Sequence, residues 1–182
     1  MAPETEYTVV LDADPRRVWE VVSDITVPTN FSPELRRVRW LDGATGPALG
    51  ARFEGHNHND FLGWWRTESH VVAWEECRVF AWAVVDPERR FGGEPDPARP
   101  VATWRYDLAP ESGGARLRHH VRLGPARSGL SLATDAMPDK AEAIVRQRLA
   151  DLRTAMTATL EGIARLVAER DAGPPAPFSP GN

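Results

Sequence analysis

Apolar residues alternate with polar ones in a series of short runs between residues 35 and 123, and recur every third or fourth position in two other stretches, 14–25 and 138–170. Alternation marks strands, because successive side chains point to opposite faces, and a spacing of three or four marks one face of a helix. "EYTVVLDAD" (6–14) reads as a first strand closed by turn residues. In 14–25, Val18, Trp19, Val22 and Ile25 share a helical face, with Asp14 as the cap and Pro15 just inside. Pro28 and Pro33 limit 26–35 to a short second helix or turn. Strand character follows at 35–41, 50–58, 64–74, 77–85, 101–108 and 115–123. Residues 41–50 and 109–114 link their flanking strands as turns. Residues 86–100 form a long proline-rich loop, either a binding loop or lid or a plain solvated loop, and 124–135 reads as a further loop. From Pro138 to about Arg170, Val145, Leu149, Leu152, Met156, Leu160, Ile163 and Val167 make one apolar stripe. At 1.5 Å per residue such a helix is about 50 Å long and needs a long surface, which an antiparallel sheet of six or seven strands offers. Residues 1–170 are expected to form one domain, and the proline-rich tail 171–182 to be disordered.

Parity assigns the faces. In 115–123, Leu117, Val121 and Leu123 alternate with Arg116, Arg118 and Arg122, so His119 points inward. In 101–108, Ala102, Trp104, Tyr106 and Leu108 share a face, and a hairpin around 109–114 sets Trp104 near His119 and Tyr106 near Leu117. A tight turn at Glu75-Glu76 sets Val71 opposite Phe80 and Ser69 opposite Trp82. The inner face then holds Trp65, Thr67, Ser69, Val71, Phe80, Trp82 and Val84, unless a longer turn reverses it. In 50–58, Phe53 shares its face with Ala51, Gly55 and Asn57, while Arg52, Glu54, His56 and His58 face Arg66, Glu68 and His70 across a hairpin at 59–63. Histidines two apart can share a metal. Zinc, however, wants three or four ligands, the neighbouring arginine opposes a cation, and no third ligand falls in register. His56 and His58 are therefore read as surface residues and no metal is expected; a bulge at Gly55 would turn the pair inward.

Composition narrows the function classes. A net charge of −4 argues against general nucleic-acid binding, which wants a basic face. Seven tryptophans against two tyrosines supply much flat apolar surface. Cys77 is the single cysteine, so no intramolecular disulfide forms. No apolar run approaches the roughly 20 residues of a membrane span, and "MAPETEYTVV" has no signal-peptide pattern, so a cytoplasmic protein is expected. The chain contains no G-x-S-x-G, P-loop or dinucleotide fingerprint, and no cofactor is expected.

The order strand, two short helices, six strands and long helix, with "DPRRVWEVVSDI", "LGARFEGHN", "WRTESHVVAWE", "FAWAVV", "ATWRYDL" and "GARLRHHVRL", resembles the SRPBCC superfamily over about residues 4–170. That group includes START lipid-transfer domains, pollen-allergen-type carriers and polyketide cyclase/dehydrase-like proteins, and the last are the most similar. The resemblance implies an α+β helix-grip fold: a seven-stranded curved antiparallel sheet around a long C-terminal helix, with two short helices after strand one and a deep cavity between. The motifs are core and turn positions, so they mark the fold and leave the activity open. In such a fold His119 is a candidate general acid/base, its charge change lying near neutral pH, or else a buried histidine with both nitrogens bonded. Tyr106 donates to a substrate carbonyl or satisfies its hydroxyl at the rim. Trp65, Trp82 and Trp104 wall a ligand site or fill the core, with Ser69 on the same face. Asn57 orients a ligand or knits strands, Asn30 and Phe31 line the entrance, and Asp24 lies near the cavity or ends the first helix. The implied function is binding of a hydrophobic, aromatic or polyketide-like molecule, with cyclisation or dehydration of it. The alternatives are a non-catalytic carrier, sensor or sequestering protein, and a homodimer formed through an outer face carrying Trp64, Val72 and Trp74.

Overall fold

The structure is a computed structural model that describes residues 2–172. Its elements are β1 (Glu4–Leu11), α1 (Pro15–Val22), a 3-10 turn (Val27–Asn30), β2 (Leu35–Trp40), β3 (Arg52–Asn59), β4 (Gly63–Glu75), β5 (Val79–Val85), β6 (Ala102–Glu111), β7 (Gly114–Leu123), α2 (Gly129–Ala136), a second 3-10 turn (Pro138–Lys140) and α3 (Ala141–Ala172). The strands form one antiparallel sheet in the order β1-β7-β6-β5-β4-β3-β2. It is the curved half-barrel of the helix-grip fold, with α3 lying against β1, α1 and α2.

Local chemistry explains the ends. Asp14 Oδ1 accepts the Arg16 amide at 2.8 Å, holding a donor that the first turn of α1 would leave unpaired. Pro15 fits that turn, and Val18, Trp19, Val21 and Val22 are the buried face of α1. The apolar stripe of α3 is buried at Leu152, Met156, Leu160, Ile163 and Val167 and only half-buried at Val145 and Leu149. The C-terminal half of the helix thus joins a solid core with Leu11, Trp19, Val27 and Leu117, and the N-terminal half lies over open space.

Two segments depart from their expected form. Residues 129–136, read as a loop, are α2, whose first turn is held where Ser131 Oγ accepts the Ser128 amide at 3.1 Å. The helix expected to run from Pro138 opens instead with a 3-10 turn, and α3 starts at Ala141. The expected tail begins at 171, yet α3 continues to Ala172, and residues 173–182 lie outside the described residues.

Register differs where the turns differ. The β6–β7 hairpin closes between Glu111 and Gly114, which pairs Tyr106 with His119 and Trp104 with Val121. The slip from the expected pairing is two residues, so every side chain keeps its face. Between β4 and β5 the turn is Glu76-Cys77-Arg78, with Cys77 at φ 58°, one residue longer than expected. That alone would reverse the inner face. A bulge between Val71 and Ala73 restores it, pairing Val71 with Trp82 and Ser69 with Val84. The same bulge turns Trp74 inward, its ring centre 5.2 Å from Trp19 and 5.5 Å from Phe80. Trp74 therefore does not belong to the outer face with Trp64 and Val72.

One close approach is specific. A Cβ on Gly114 would lie 1.9 Å from the Leu11 carbonyl oxygen, so β7 and the end of β1 meet only because this residue is glycine. Gly114→Ala is expected to cost about 1–3 kcal/mol, read in thermal unfolding as a Tm lower by roughly 3–10 °C.

Candidate functional site

The concave face of the sheet and the N-terminal half of α3 enclose a cavity of about 640 Å³. Its deep wall is β4 to β7, through Ser69, Phe80, Trp82, Trp104, Tyr106 and His119. Leu152, Ala155 and Met156 of α3 lie opposite, and Phe61, Leu62, Phe91, Leu130 and Ala133 crowd the outer part. The segment expected as a loop thus supplies part of the enclosure, since Leu130 and Ala133 belong to α2. Gly129 opens α2 against Leu62, where a Cβ would come within 2.6 Å of that side chain.

His119 is the most unusual group in the cavity. It is 5 % exposed, and both ring nitrogens lack a hydrogen-bond partner among the described residues. Its ring stacks on Tyr106, with centroids 4.2 Å apart, and lies 5.0 Å from Trp104. The expected neighbour Trp104 is present, and the direct cross-strand partner is Tyr106 rather than Leu117. Burial, and next the charge of His120, push the imidazole down to about 3. The expectation of a charge change near neutral pH is therefore corrected: the ring is neutral there, with one N–H and one lone pair to offer. Tyr106 is 2 % exposed and sits in the interior, not at a rim. Burial pushes its phenol well above the usual range, so it stays protonated.

The aromatic wall is continuous. Trp82 touches Phe80, Tyr106 and Phe53 at ring separations of 4.8, 5.7 and 6.0 Å. Trp65 and Asn57 pair across β3 and β4, and both line the cavity. Asn57 Nδ2 donates to Thr67 Oγ1 at 3.4 Å, so this residue knits the two strands while facing the space. Of the expected site residues, His119, Tyr106, Asn57, Trp65, Ser69, Trp82 and Trp104 come together around one cavity.

Asn30 and Phe31 do not join them. Asn30 Nδ2 donates to the Val27 carbonyl at 3.2 Å within the 3-10 turn. Phe31 covers Gly162 of α3, where a Cβ would come within 2.5 Å of its ring. Their neighbours Pro28 and Ser32 reach the cavity instead. Asp24 lies just beyond α1 and its Ser23 cap, and its carboxylate accepts the Thr26 amide at 2.9 Å and hydroxyl at 2.6 Å.

Sequence reading missed a polar cluster farther out. Arg148 of α3 donates twice to the Glu34 carboxylate, at 2.7 and 2.9 Å, and Asn59 Nδ2 donates to the same group at 3.0 Å. The cluster ties α3 to the segment before β2 and to the end of β3. Burial raises the Glu34 carboxyl, but the bonds from Arg148 and its charge outweigh that and hold it below the ordinary carboxylate range. No local pattern announces a pair 114 residues apart. One signal existed: Arg148 precedes Leu152 and Met156 by four and eight residues, which puts it on the buried face of α3. Arg148→Met leaves the half-buried carboxylate without its cation. At neutral pH this is expected to cost about 1–2 kcal/mol in denaturant unfolding. Because the folded-state value is depressed, the difference should shrink as pH falls through the carboxylate range.

The outer face accounts for the paired histidines. Glu54 is buried there beneath Arg39 at 2.5 Å, His56 at 3.1 Å and Arg66 at 3.4 Å, and these contacts, Arg39 first, lower its carboxyl to about 2. His58 packs on Trp64, with ring centres 5.1 Å apart. Neither histidine lines the cavity, and among the described residues no group of three His, Cys, Asp or Glu side chains is placed to hold a metal. No helix among them is long and apolar enough to cross a membrane.

Comparison with known proteins places this architecture. The chain is similar to the polyketide-cyclase-like protein Cgl2372 of Corynebacterium glutamicum at 26 % identity, covering 98 % of this chain and 99 % of that one, with a TM-score of 0.63. The Zhui aromatase/cyclase of Streptomyces sp. R1128 shares the fold at 18 % identity, over 95 % of this chain and 99 % of that one, with a TM-score of 0.61. Ara h 8.0201 shares it at 13 % identity, over 91 % and 97 %, with a TM-score of 0.55. No curated protein matches in sequence. The model of the family described as polyketide cyclase / dehydrase and lipid transport matches residues 2–157. With that match spanning most of the chain and a hydrophobic ligand-binding fold around the cavity, the protein belongs to the polyketide cyclase / dehydrase and lipid transport family.

Proposed function

We propose that the protein binds a hydrophobic, planar molecule, aromatic or polyketide-like, in the cavity beneath α3. The observation that carries this reading is a space of about 640 Å³, walled by Trp65, Trp82 and Trp104 and reached by an unbonded imidazole. Small-molecule sites are concave, mostly apolar and carry a few placed polar groups, and this one fits that pattern. Native mass spectrometry of the purified protein tests it. A co-purified organic molecule that is lost on denaturation is expected. No bound molecule, together with no tryptophan fluorescence response to added hydrophobic aromatics, would end it.

Binding is favoured over proton transfer by the surroundings of His119, which is buried against Tyr106 and Trp104 with no hydrogen-bond partner for either nitrogen among the described residues. A general base works best with a pKa near the working pH, and an imidazole at about 3 is a feeble base at neutrality. Cyclisation with dehydration is the second reading, supported by the Tyr106–His119 stack and by the aromatase/cyclase whose fold this chain shares. Holding a flexible chain in a near-attack geometry would supply much of its acceleration. Turnover of a candidate polyketide, lost in His119→Ala, is its expected signature; binding without product leaves the protein a carrier, sensor or sequestering protein. Cytoplasmic residence and a homodimer through the outer Trp64 and Val72 belong to the same proposal, and light scattering across a concentration series checks the dimer.

A further inference from the structure

We infer that the ligand enters with an uncharged hydroxyl or carbonyl group leading, that this group bonds His119 at the buried end, and that any charged group stays at the outer end beside Glu34 and Arg148. The inference rests on the binding role proposed above and adds the ligand's polarity and direction.

The geometry supplies three constraints. The first is an unmet demand. Buried polar groups in folded proteins are almost always paired, and an unpaired one carries a desolvation cost. His119 has two unpaired nitrogens in one ring, at the wall of a space large enough for a ligand. The nitrogens diverge, so a ligand group meets one and leaves the other to water or a second group. The second constraint is that the cavity wall beside that ring carries no charged side chain, His120 pointing to the other face of the sheet. Phe80, Trp82, Trp104, Tyr106 and Met156 share the deep region with it, and none is ionised at neutral pH. A carboxylate or ammonium there would lose its hydration against a neutral ring. The third is the position of the charged pair. On β7, His119 lies between Val121, which clusters with Leu152 and Met156, and Leu117, which clusters with Leu160. That sets it near the level of Met156, eight residues beyond Arg148, or about 12 Å along the helix axis. Charged residues at the cavity's outer end, Glu34, Arg148 and Asp151, can meet a charged group without burying it.

Three probes test this: 2-naphthol, the near-isosteric 2-methylnaphthalene, and 6-hydroxy-2-naphthoate, which carries a hydroxyl at one end and a carboxylate at the other. Calorimetric titration of the wild-type protein is expected to show 2-naphthol binding about tenfold more tightly than 2-methylnaphthalene. In His119→Leu that ratio should fall to about one while 2-methylnaphthalene still binds. Nuclear Overhauser contacts from bound 6-hydroxy-2-naphthoate should join its hydroxyl-bearing ring to Met156 and Phe80, and its carboxylate-bearing ring to Ile144 and Leu62. The wild-type ratio and the orientation stand as tests even if His119→Leu fails to fold. Equal affinities in the wild type, or the reverse orientation, would overturn the inference and leave the cavity's binding role intact. Failure of all three probes to bind would instead remove the binding role itself.

Discussion

Lowering the pH from 6.5 to 4.5 is expected to cost the wild-type protein about 2–3 kcal/mol of stability through His119 alone. The sign follows from the buried neutral ring. In the unfolded chain the imidazole takes up its proton near 6.5, whereas in the folded protein it does so only near 3. Between those values the unfolded state binds the extra proton, so acid pulls the equilibrium toward it. The contribution is whole above pH 6.5 and is lost progressively as pH falls toward 3, for a total on the order of 4 kcal/mol. The paired carboxylates act in a lower window. Glu54 has its folded-state value near 2 against an ordinary 4.5, so the stability that it adds above 4.5 is lost below it. Most of the interval from 6.5 to 4.5 lies above the carboxylate window, and comparison with His119→Leu isolates the histidine. Denaturant unfolding at pH 7, 6 and 5 should show the decline in the wild type and a nearly flat line in His119→Leu. A flat wild-type line would mean that burial does not hold the imidazole neutral.

Ala155→Trp should abolish ligand binding while leaving the fold at least as stable. Ala155 is a small residue on the cavity face of α3, between the Arg148 level and Met156. An indole there projects into open space rather than into a filled core, so the clash that usually accompanies such an enlargement is absent. Apolar area is buried at about 25 cal/mol per Å², which favours the folded state. A ligand occupying the same space is displaced, and affinity for 2-naphthol should fall at least about 100-fold, close to 3 kcal/mol. Calorimetric titration reads the loss and thermal unfolding reads the retained stability. Unchanged affinity in a well-folded Ala155→Trp protein would place the ligand elsewhere on the molecule.

What was legible in the sequence followed the physics of periodicity. Inner faces survived two wrong registers, because β6–β7 slipped by two residues and the longer β4–β5 turn was offset by a bulge. Alternation alone therefore puts His119, Tyr106, Trp82 and Trp104 on the cavity side, whatever their cross-strand neighbours. It does not place Trp74, because a bulge is a backbone event that alternation does not encode. The helix α2 escaped because "GLSLATDA" opens with glycine and spans barely two turns, too short for a helical period to stand out. Arg148 falls on the buried face of α3 in sequence, but nothing local marks Glu34 as its partner, because the fold alone brings the two together. The protonation state of His119 depends on burial by β6, β7 and α3 at once, and no local residue pattern reports that. Asn30 and Phe31 are expected at the entrance from their place near the second short helix, but the chain turns there so that Phe31 covers Gly162 while Pro28 and Ser32 face the cavity.

The most direct measurement uses the seven tryptophan indole N–H signals as local reporters while 2-naphthol is titrated into the ¹⁵N-labelled protein. Trp65, Trp82 and Trp104, which line the cavity, should shift together and saturably, while the outward Trp64, 63 % exposed, stays in place. Shifts confined to Trp64 with the three inner indoles unmoved would contradict an internal binding site.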